Sequence, residues 1–212
     1  MNEFIEVKAG NRSTAARRSL VYGHGLNDAW YKTYTQVDGK QRICPYYRKW
    51  ASMIKRAYDP IEHANYPQYT GTTVCKEWYL FSTFRVWMEK QDWKGRHLDK
   101  DIVNPGSKHY SPDNCCFISA ALNTMLTAHG SARGEYPQGV SAEKAVGKFR
   151  AQCNYNGNQK YLGCFNTATE AAQAYNNFKS SVVRKAASEQ SDPRIRNGLE
   201  VHANLIERGI EL

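Results

Sequence analysis

The dipeptide Asn156-Gly157 is the sequence feature that most constrains what this chain can fold into. Such a pair favours a two-residue turn with positive backbone φ, which is typical of tight β-hairpins. It separates 148–154 from 159–165, two segments of strand length. Apolar and polar residues alternate along 148–154, so one face of that strand is predicted to be buried. We therefore predict an antiparallel hairpin, joined by 139–141 as a third strand.

A capping box follows this hairpin, because Thr167 stands three residues before Glu170. It predicts a helix of about twenty residues that packs on one face of the three strands. The other face of this small sheet is then exposed. We expect it to carry or adjoin four polar side chains: Lys148, Arg150, Gln152 and Lys160.

The charge is concentrated in the same segment. The chain has a net charge of +9 over 212 residues, and 133–187 holds 8 Lys and Arg against 3 Asp and Glu, which gives +5. A polyanionic partner is compatible with this excess. The hydrophobic content of 41% excludes a disordered chain. Since no run of about 18 apolar residues occurs, we expect no membrane span.

The rest of the chain predicts an α+β protein with four regions. We expect a basic arm over 1–40, a helical region with a short β-hairpin over 41–130, the sheet domain over 131–187 and an acidic tail over 188–212 that binds a protein partner or a second copy. A linker is predicted within the second and third of these regions, at 127–138, where Gly, Ser and Pro occur.

Within the second region, periodicity predicts one helix from Pro45 to the Asp59-Pro60 stop and another from Glu77 to Lys90 with a core-facing aromatic stripe. The segment 60–73 is predicted to be a loop. Two short strands or a hairpin are expected in 94–113, and a third helix is expected to begin near Asn114.

Oxygen-bearing side chains in this region suggest a metal site. Asp99 lies on a predicted strand, and Asn114 and Asn123 are nine residues apart on the predicted third helix. Asp101 offers a second carboxylate. Such ligands suit Mg²⁺ or Mn²⁺, which could polarise a phosphodiester. The six cysteines lack the close spacing of zinc ligands, and no secretion signal is evident, so we expect reduced thiols, no structural zinc and a cytoplasmic location.

Two families resemble parts of this chain. The run Leu98-Asp99-Lys100-Asp101-Ile102, then Tyr110-Ser111-Pro112-Asp113-Asn114-Cys115, and then Asn123 resemble HNH nucleases of bacteriophage homing-endonuclease type. The aromatic segment from Val74 to Met88 resembles their helical lead-in. This likeness implies a ββα-metal finger that cuts or nicks double-stranded DNA inside an infected bacterial cell.

The second resemblance covers Gly157-x-x-x-Tyr161-Leu162-Gly163-x-Phe165-x-Thr167-x-x-Glu170-Ala171-Ala172-x-Ala174-Tyr175. It is similar to the ethylene-response-factor-type DNA-binding domain. That family enters the DNA major groove with its three-stranded sheet and is often fused to HNH nucleases. The likeness implies double-stranded DNA as the partner.

One residue departs from the nuclease family. Active members place a His after the first Asp as general base, and here that position is Lys100. A lysine with an ordinary pKa of about 10.4 is protonated at neutral pH and accepts no proton. His97 or His109 is then the candidate base, with Asn114 as its orienter. The alternative is a catalytically degenerate protein that binds DNA or a host protein as a regulator or inhibitor.

Overall fold

A computed structural model describes residues 4–10, 18–126, 135–155 and 157–210. The chain is a mixed α+β protein, as predicted. The described residues form two compact units. Unit 1 holds the residues up to Asp101 together with Ser107–Ser119, and unit 2 holds Ile102–Gly106 with the residues from Ala120 onward. This division differs from the predicted boundary near residue 130.

Unit 1 combines helices with three two-stranded sheets. In chain order its elements are β1 (Tyr34–Val37), β2 (Lys40–Ile43), α1 (Pro45–Tyr58), α2 (Pro60–Asn65), β3 (Thr73–Val74), α3 (Phe81–Glu89), β4 (His97–Asp99), β5 (His109–Tyr110) and β6 (Cys116–Ile118). Strands β1 and β2 form an antiparallel hairpin, β3 pairs with β5 in parallel, and β4 pairs with β6 antiparallel.

The core of unit 1 is built around Trp50 of α1. Its ring is fully buried, and its indole Nε1 donates a hydrogen bond to the carbonyl of Trp78 at 2.7 Å. The Gly25 backbone lies so close that a Cβ there would sit 2.7 Å from the Trp50 ring. Phe81 and Phe84 are also buried, which confirms that the aromatic stripe faces the core.

The helix predicted from Glu77 to Lys90 is wrong in its first turn. Residues Lys76–Tyr79 form a 3₁₀ turn, and Leu80 is extended before α3 begins. The cause is tertiary, because Leu26 donates to the Tyr79 carbonyl at 2.7 Å and accepts from the Phe81 amide at 3.1 Å. The predicted loop over 60–73 is also wrong in part. Asp59 caps α2 by accepting a hydrogen bond from the Ile61 amide at 3.0 Å.

The predicted third helix near Asn114 is wrong as well. Residues Cys116–Ile118 form β6, which is buried along its length, and the next helix begins only at Ala120. A short buried apolar run is compatible with either strand or helix, and pairing with β4 decides for the strand. The two predicted strands of 94–113 exist as β4 and β5, but they pair with β6 and β3 and not with each other.

Unit 2 contains the predicted sheet and helix. Its elements are α4 (Ala120–Leu126), β7 (Val140–Glu143), β8 (Lys148–Tyr155), β9 (Asn158–Phe165), α5 (Ala168–Ser188) and α6 (Pro193–Glu207). The three strands are antiparallel in the order β7-β8-β9, and Tyr155 pairs with Asn158 as a two-residue turn requires. Thr167 and Glu170 form both bonds of the capping box, as predicted.

Most of the predicted acidic tail is part of unit 2. Helix α6 packs along α5 and buries Ile195, Leu199 and Ala203. Gly198 allows a close approach, because a Cβ at this position would overlap the carbonyl of Ile102. Of the tail's apolar residues, Leu199 is therefore used inside the unit, whereas Val201 is exposed and Leu205 and Ile206 are half-buried, and the partner contact stays a prediction.

The predicted arm and linker lie partly outside the described residues, which omit 1–3, 11–17, 127–134, Asn156 and 211–212. The described part of the arm belongs to unit 1, because Tyr31 is buried and Tyr34–Val37 form β1. Within the part of the chain that the structure describes, no helix combines the length and apolar character needed to cross a membrane.

Gly139 provides a stability test for unit 2. Its φ is +76°, and a Cβ there would overlap the ring of Tyr175 on α5. We expect Gly139→Ala to lower the free energy of unfolding by about 3 kcal/mol, from backbone strain and the clash together. Gly147 is the matched control, since its φ is +64° but its surroundings are open. Gly147→Ala should cost about 1 kcal/mol from strain alone.

Urea unfolding followed by far-ultraviolet circular dichroism measures both variants. Equal losses for the two substitutions would contradict the packing of Tyr175 against Gly139.

Candidate DNA interface and candidate catalytic loop

Lys100, which the resemblance to HNH nucleases aligns with their histidine, is buried with only 6% of its surface exposed. Its ammonium donates to Oδ1 of Asp101 at 2.5 Å and to the carbonyl of Ser107 at 2.7 Å. It also lies 5.9 Å from the centre of the Tyr110 ring. Lys100 is thus a hydrogen-bond donor that ties the two ends of the loop 100–107 together.

The two candidate carboxylates have different surroundings. Asp99 ends β4, and its Oδ1 accepts a hydrogen bond from the Asp101 amide at 2.9 Å. Because β4 stops there, Asp101 lies in the loop that follows the strand. The Asp101 carboxylate pairs with Lys100, which any metal ion would have to displace. Among the described residues, no three His, Cys, Asp or Glu side chains converge as a metal-ligand group.

The two candidate histidines are both exposed, but only one has an oriented ring. His109 on β5 lies opposite Thr73 on β3, and its Nδ1 is 2.8 Å from the Thr73 hydroxyl. His97 pairs with Ile118 across the β4–β6 sheet. Thr73 was not predicted as a site residue, because its position beside His109 depends on a parallel pairing between strands that are far apart in the chain.

Asn114 holds the loop that carries His109. Its side-chain amide donates to the His109 carbonyl at 3.1 Å and to the Ser107 hydroxyl at 3.3 Å. No helix begins at Asn114, which corrects the prediction of a third helix there. Asn123 lies on α4 in unit 2, so the single helix that was expected to carry both asparagines does not exist.

The face of the unit 2 sheet away from α5 carries the second candidate site, which we call the outer face. Strand register puts Arg150 between Ser141 and Cys164, and it pairs Gln152 with Tyr161. Tyr161 is 60% exposed, and it was not predicted to lie on this surface. Alternation along β8 alone does not show which residue of β9 pairs with Gln152.

Arg150 is oriented by a neighbouring carboxylate. Its Nη2 forms an ion pair with Oε2 of Glu143 on β7. Glu143 is itself opposite Lys148, so this acid lies between two basic side chains on the outer face. The arrangement leaves an excess of positive charge on this surface and steers the guanidinium across the strands.

Lys160, which was expected to adjoin this face, lies on the other side of the sheet. It pairs with Cys153, a buried residue that faces α5, and its ammonium lies 4.6 Å from the centre of the Phe178 ring of α5.

The cysteine thiols differ in exposure. Cys164 is an exposed thiol on the outer face. Cys153 and Cys115 are buried, and burial raises the pKa of both thiols.

The buried ammonium of Lys100 predicts a large stability effect. Lys100→Met should lower the free energy of unfolding of unit 1 by about 2–3 kcal/mol, because Asp101 and the Ser107 carbonyl lose their donor. Lys108 is the matched control, since its exposed ammonium also donates to a backbone carbonyl, that of Gln68. Lys108→Met should change stability by less than about 0.5 kcal/mol.

Tryptophan fluorescence during urea unfolding measures this difference, because all five tryptophans lie in unit 1. A Lys100→Met protein as stable as wild type would refute the structural role of the ammonium.

Comparison with protein-family models, with curated proteins and with solved structures finds no match to this chain. The likeness to HNH nucleases and to the ethylene-response-factor domain therefore stays a prediction. Functional conclusions rest on the two sites described above, the loop around Lys100 in unit 1 and the outer face in unit 2.

Proposed function

We propose that this chain binds double-stranded DNA through the outer face of the unit 2 sheet. The observation that carries the proposal is the row of Lys148, Arg150, Gln152 and Tyr161 on one side of a sheet whose other side is covered by α5. Lys148 and Tyr161 are exposed, and Arg150 and Gln152 are half-buried. A two- or three-stranded β-sheet surface of this width fits the DNA major groove.

Each side chain has a defined capability in such a complex. The Arg150 guanidinium can donate two parallel hydrogen bonds to guanine, and the Gln152 amide can pair with adenine in the same bidentate manner. Lys148 at the strand end suits a phosphate, and the Tyr161 ring offers apolar contact to a base edge. Glu143 orients the Arg150 guanidinium, and its carboxylate repels other anions that approach it.

The same proposal assigns a structural role to Lys100. Its ammonium stands where the nuclease family places a base, yet it donates hydrogen bonds to Asp101 and the Ser107 carbonyl. A buried lysine that donates hydrogen bonds in this position supports the catalytically degenerate alternative, in which DNA affinity persists without cleavage. Regulation of a DNA site is the function most compatible with both surfaces.

The DNA proposal predicts a strong difference between the two sheet faces. Arg150→Ala should weaken binding of a DNA duplex by about tenfold or more, because it removes a charged bidentate donor. Lys160→Ala is the matched control, since the Lys160 ammonium lies on the α5 side of the sheet. The affinity of this variant for the duplex should stay within about twofold of wild type. Fluorescence anisotropy with a labelled duplex measures both, and affinity should fall steeply with added salt.

Cys164 allows a second readout without any substitution in the interface. It lies beside Arg150 on the outer face, so bound duplex should slow its alkylation by a maleimide. An unchanged labelling rate at saturating DNA, or equal losses of affinity for the two variants, would refute binding through this face.

A nuclease is the second candidate function, and the orientation of His109 is the observation that favours it. The Thr73 hydroxyl and the Asn114 amide position the ring and its backbone, so that Nε2 of the exposed imidazole can accept a proton from water. Mg²⁺ or Mn²⁺ would supply charge stabilisation at a phosphate. The oxygen donors do not make a complete site, since Asp101 is paired with Lys100, and we derive no step through a metal.

Supercoiled plasmid separates the two functions. The degenerate binder should leave the plasmid intact with either Mg²⁺ or Mn²⁺ while a gel shift persists. If nicking does occur, His109→Ala should abolish it and His97→Ala should not, because only His109 has an oriented ring. Nicking that both variants retain would refute the role of His109.

A further inference from the structure

Helix α1 of unit 1 carries an outward-facing stripe of cations that the proposed function does not use. Its buried side chains, which include Trp50 and Met53, lie on one side of the helix. At about 100° per residue, its cations fall within an arc of about 120° on the other side. Those cations are Arg48, Lys49, Lys55 and Arg56. No acidic residue occurs in the sequence of this helix.

A turn of the chain after α3 extends this stripe. The Trp93 ring packs against Tyr46 of α1, with 4.9 Å between the ring centres. The Lys49 ammonium donates to the Arg96 carbonyl at 2.6 Å, which ties the turn to α1, and Lys94 is exposed within the turn. We call six residues the cationic surface: Arg48, Lys49, Ser52, Arg56, Lys94 and Arg96.

Carboxylates neutralise little of this surface. Asp92 pairs with Arg96 at 2.6 Å. Glu62 is taken up by Lys55, with which it pairs at 2.6 Å. Four cations of the surface form no ion pair among the described residues, namely Arg48, Lys49, Arg56 and Lys94. The surface therefore has an uncompensated positive charge.

The clustering of these cations is unfavourable for the fold. Arg48 lies in the first turn of α1, where the helix dipole favours anions, and that turn contains no acid. Burial lowers the pKa of Lys49, and the positive charges of Arg48 and Arg56 lower it further. A bound polyanion would offset this repulsion, so the arrangement favours an anionic partner.

We propose that the cationic surface binds the phosphate backbone of the DNA duplex. Guanidinium, ammonium and hydroxyl groups are the usual donors to phosphate oxygens. Arg48, Ser52 and Arg56 follow one another at intervals of four residues, so they form a row about 12 Å long on the helix. This role rests on the proposed function, because DNA is the partner in both, and it adds a contact that reads no base sequence.

The absence of apolar anchors favours DNA over an acidic protein or a membrane. Protein interfaces are depleted in charge at their centres and depend on aromatic anchors. Helices that lie on a membrane insert an apolar face into it. The apolar side of α1 is instead buried in the core, and along this fully described helix no large apolar side chain is exposed. Phosphate contacts need only the donors that the surface offers.

Duplex binding at several salt concentrations tests this proposal. Arg48→Gln combined with Lys94→Gln should weaken binding of a labelled duplex by about tenfold at about 0.1 M salt. The slope of log affinity against log salt should become shallower by about 2, because each lost phosphate contact removes about 0.9. Fluorescence anisotropy with the full chain measures both quantities.

Lys8→Gln combined with Lys40→Gln is the matched control. Both lysines are exposed in unit 1 and belong to segments other than α1 and its adjoining turn. This variant loses the same net charge, yet its affinity should stay within about threefold of wild type. Equal losses of affinity and of slope in the two variants would overturn the proposal, because net charge alone would then explain binding.

The outer-face variant Lys148→Ala with Arg150→Ala separates this proposal from the proposed function. Wild-type duplex affinity in that variant would refute the outer face and leave the cationic surface supported by its own salt slope. Conversely, wild-type affinity and slope in the Arg48→Gln, Lys94→Gln protein would overturn the cationic surface and leave the outer face supported.

Two further measurements distinguish other roles of these cations. The Arg48→Gln, Lys94→Gln protein should unfold in urea at a midpoint no lower than wild type, because repulsion is reduced. A lower midpoint would assign the cations to the fold and overturn the proposal. Co-sedimentation with phosphatidylserine vesicles gives the other overturning result. Vesicle binding that this variant loses, with unchanged duplex affinity, would assign the surface to anionic lipid.

Discussion

The buried ammonium of Lys100 needs hydrogen-bond acceptors, and this need determines the geometry of the candidate catalytic loop. Removing the charge of Lys100 from water is costly unless acceptors surround it, and Asp101 and the Ser107 carbonyl supply them. This requirement closes the loop between these residues and brings Ser107 within reach of Asn114. Asn114 in turn fixes the backbone of His109. The hydrogen bonds of the loop thus form one connected network.

The same network limits the chemistry that the loop can perform. Under the proposed likeness to HNH nucleases, a donor occupies the position at which the family places a proton acceptor, and the neighbouring carboxylate of Asp101 is paired with that donor. Of the two candidate histidines, His109 is the one whose ring is oriented, through Thr73 on a neighbouring strand. This arrangement is the reason that we propose binding rather than cleavage, through the unit 2 sheet.

Much of unit 2 was predictable because its signals are local. The capping box at Thr167 and the Asn156-Gly157 hairpin each depend on residues within four positions of one another, and the helix and paired strands lie where they were expected. Unit 1 was harder. The short run Cys116–Ile118 satisfies a helical pattern as well as a strand pattern, and its pairing with β4 decides between them. Leu80 is extended and not helical, because Leu26 forms hydrogen bonds with the Tyr79 carbonyl and the Phe81 amide.

Sequence alone determined the α+β class, the sheet-and-helix unit and the core role of the aromatic stripe, because periodicity and capping encode them within single segments. Tertiary structure decided what the polar residues do. Lys160 faces α5 since the strand register places it opposite Cys153, and Tyr161 joins Gln152 for the same reason. The function of Lys100 likewise depends on an acceptor seven residues away, Ser107. Such roles follow from contacts across the fold, which a pattern along one segment does not contain.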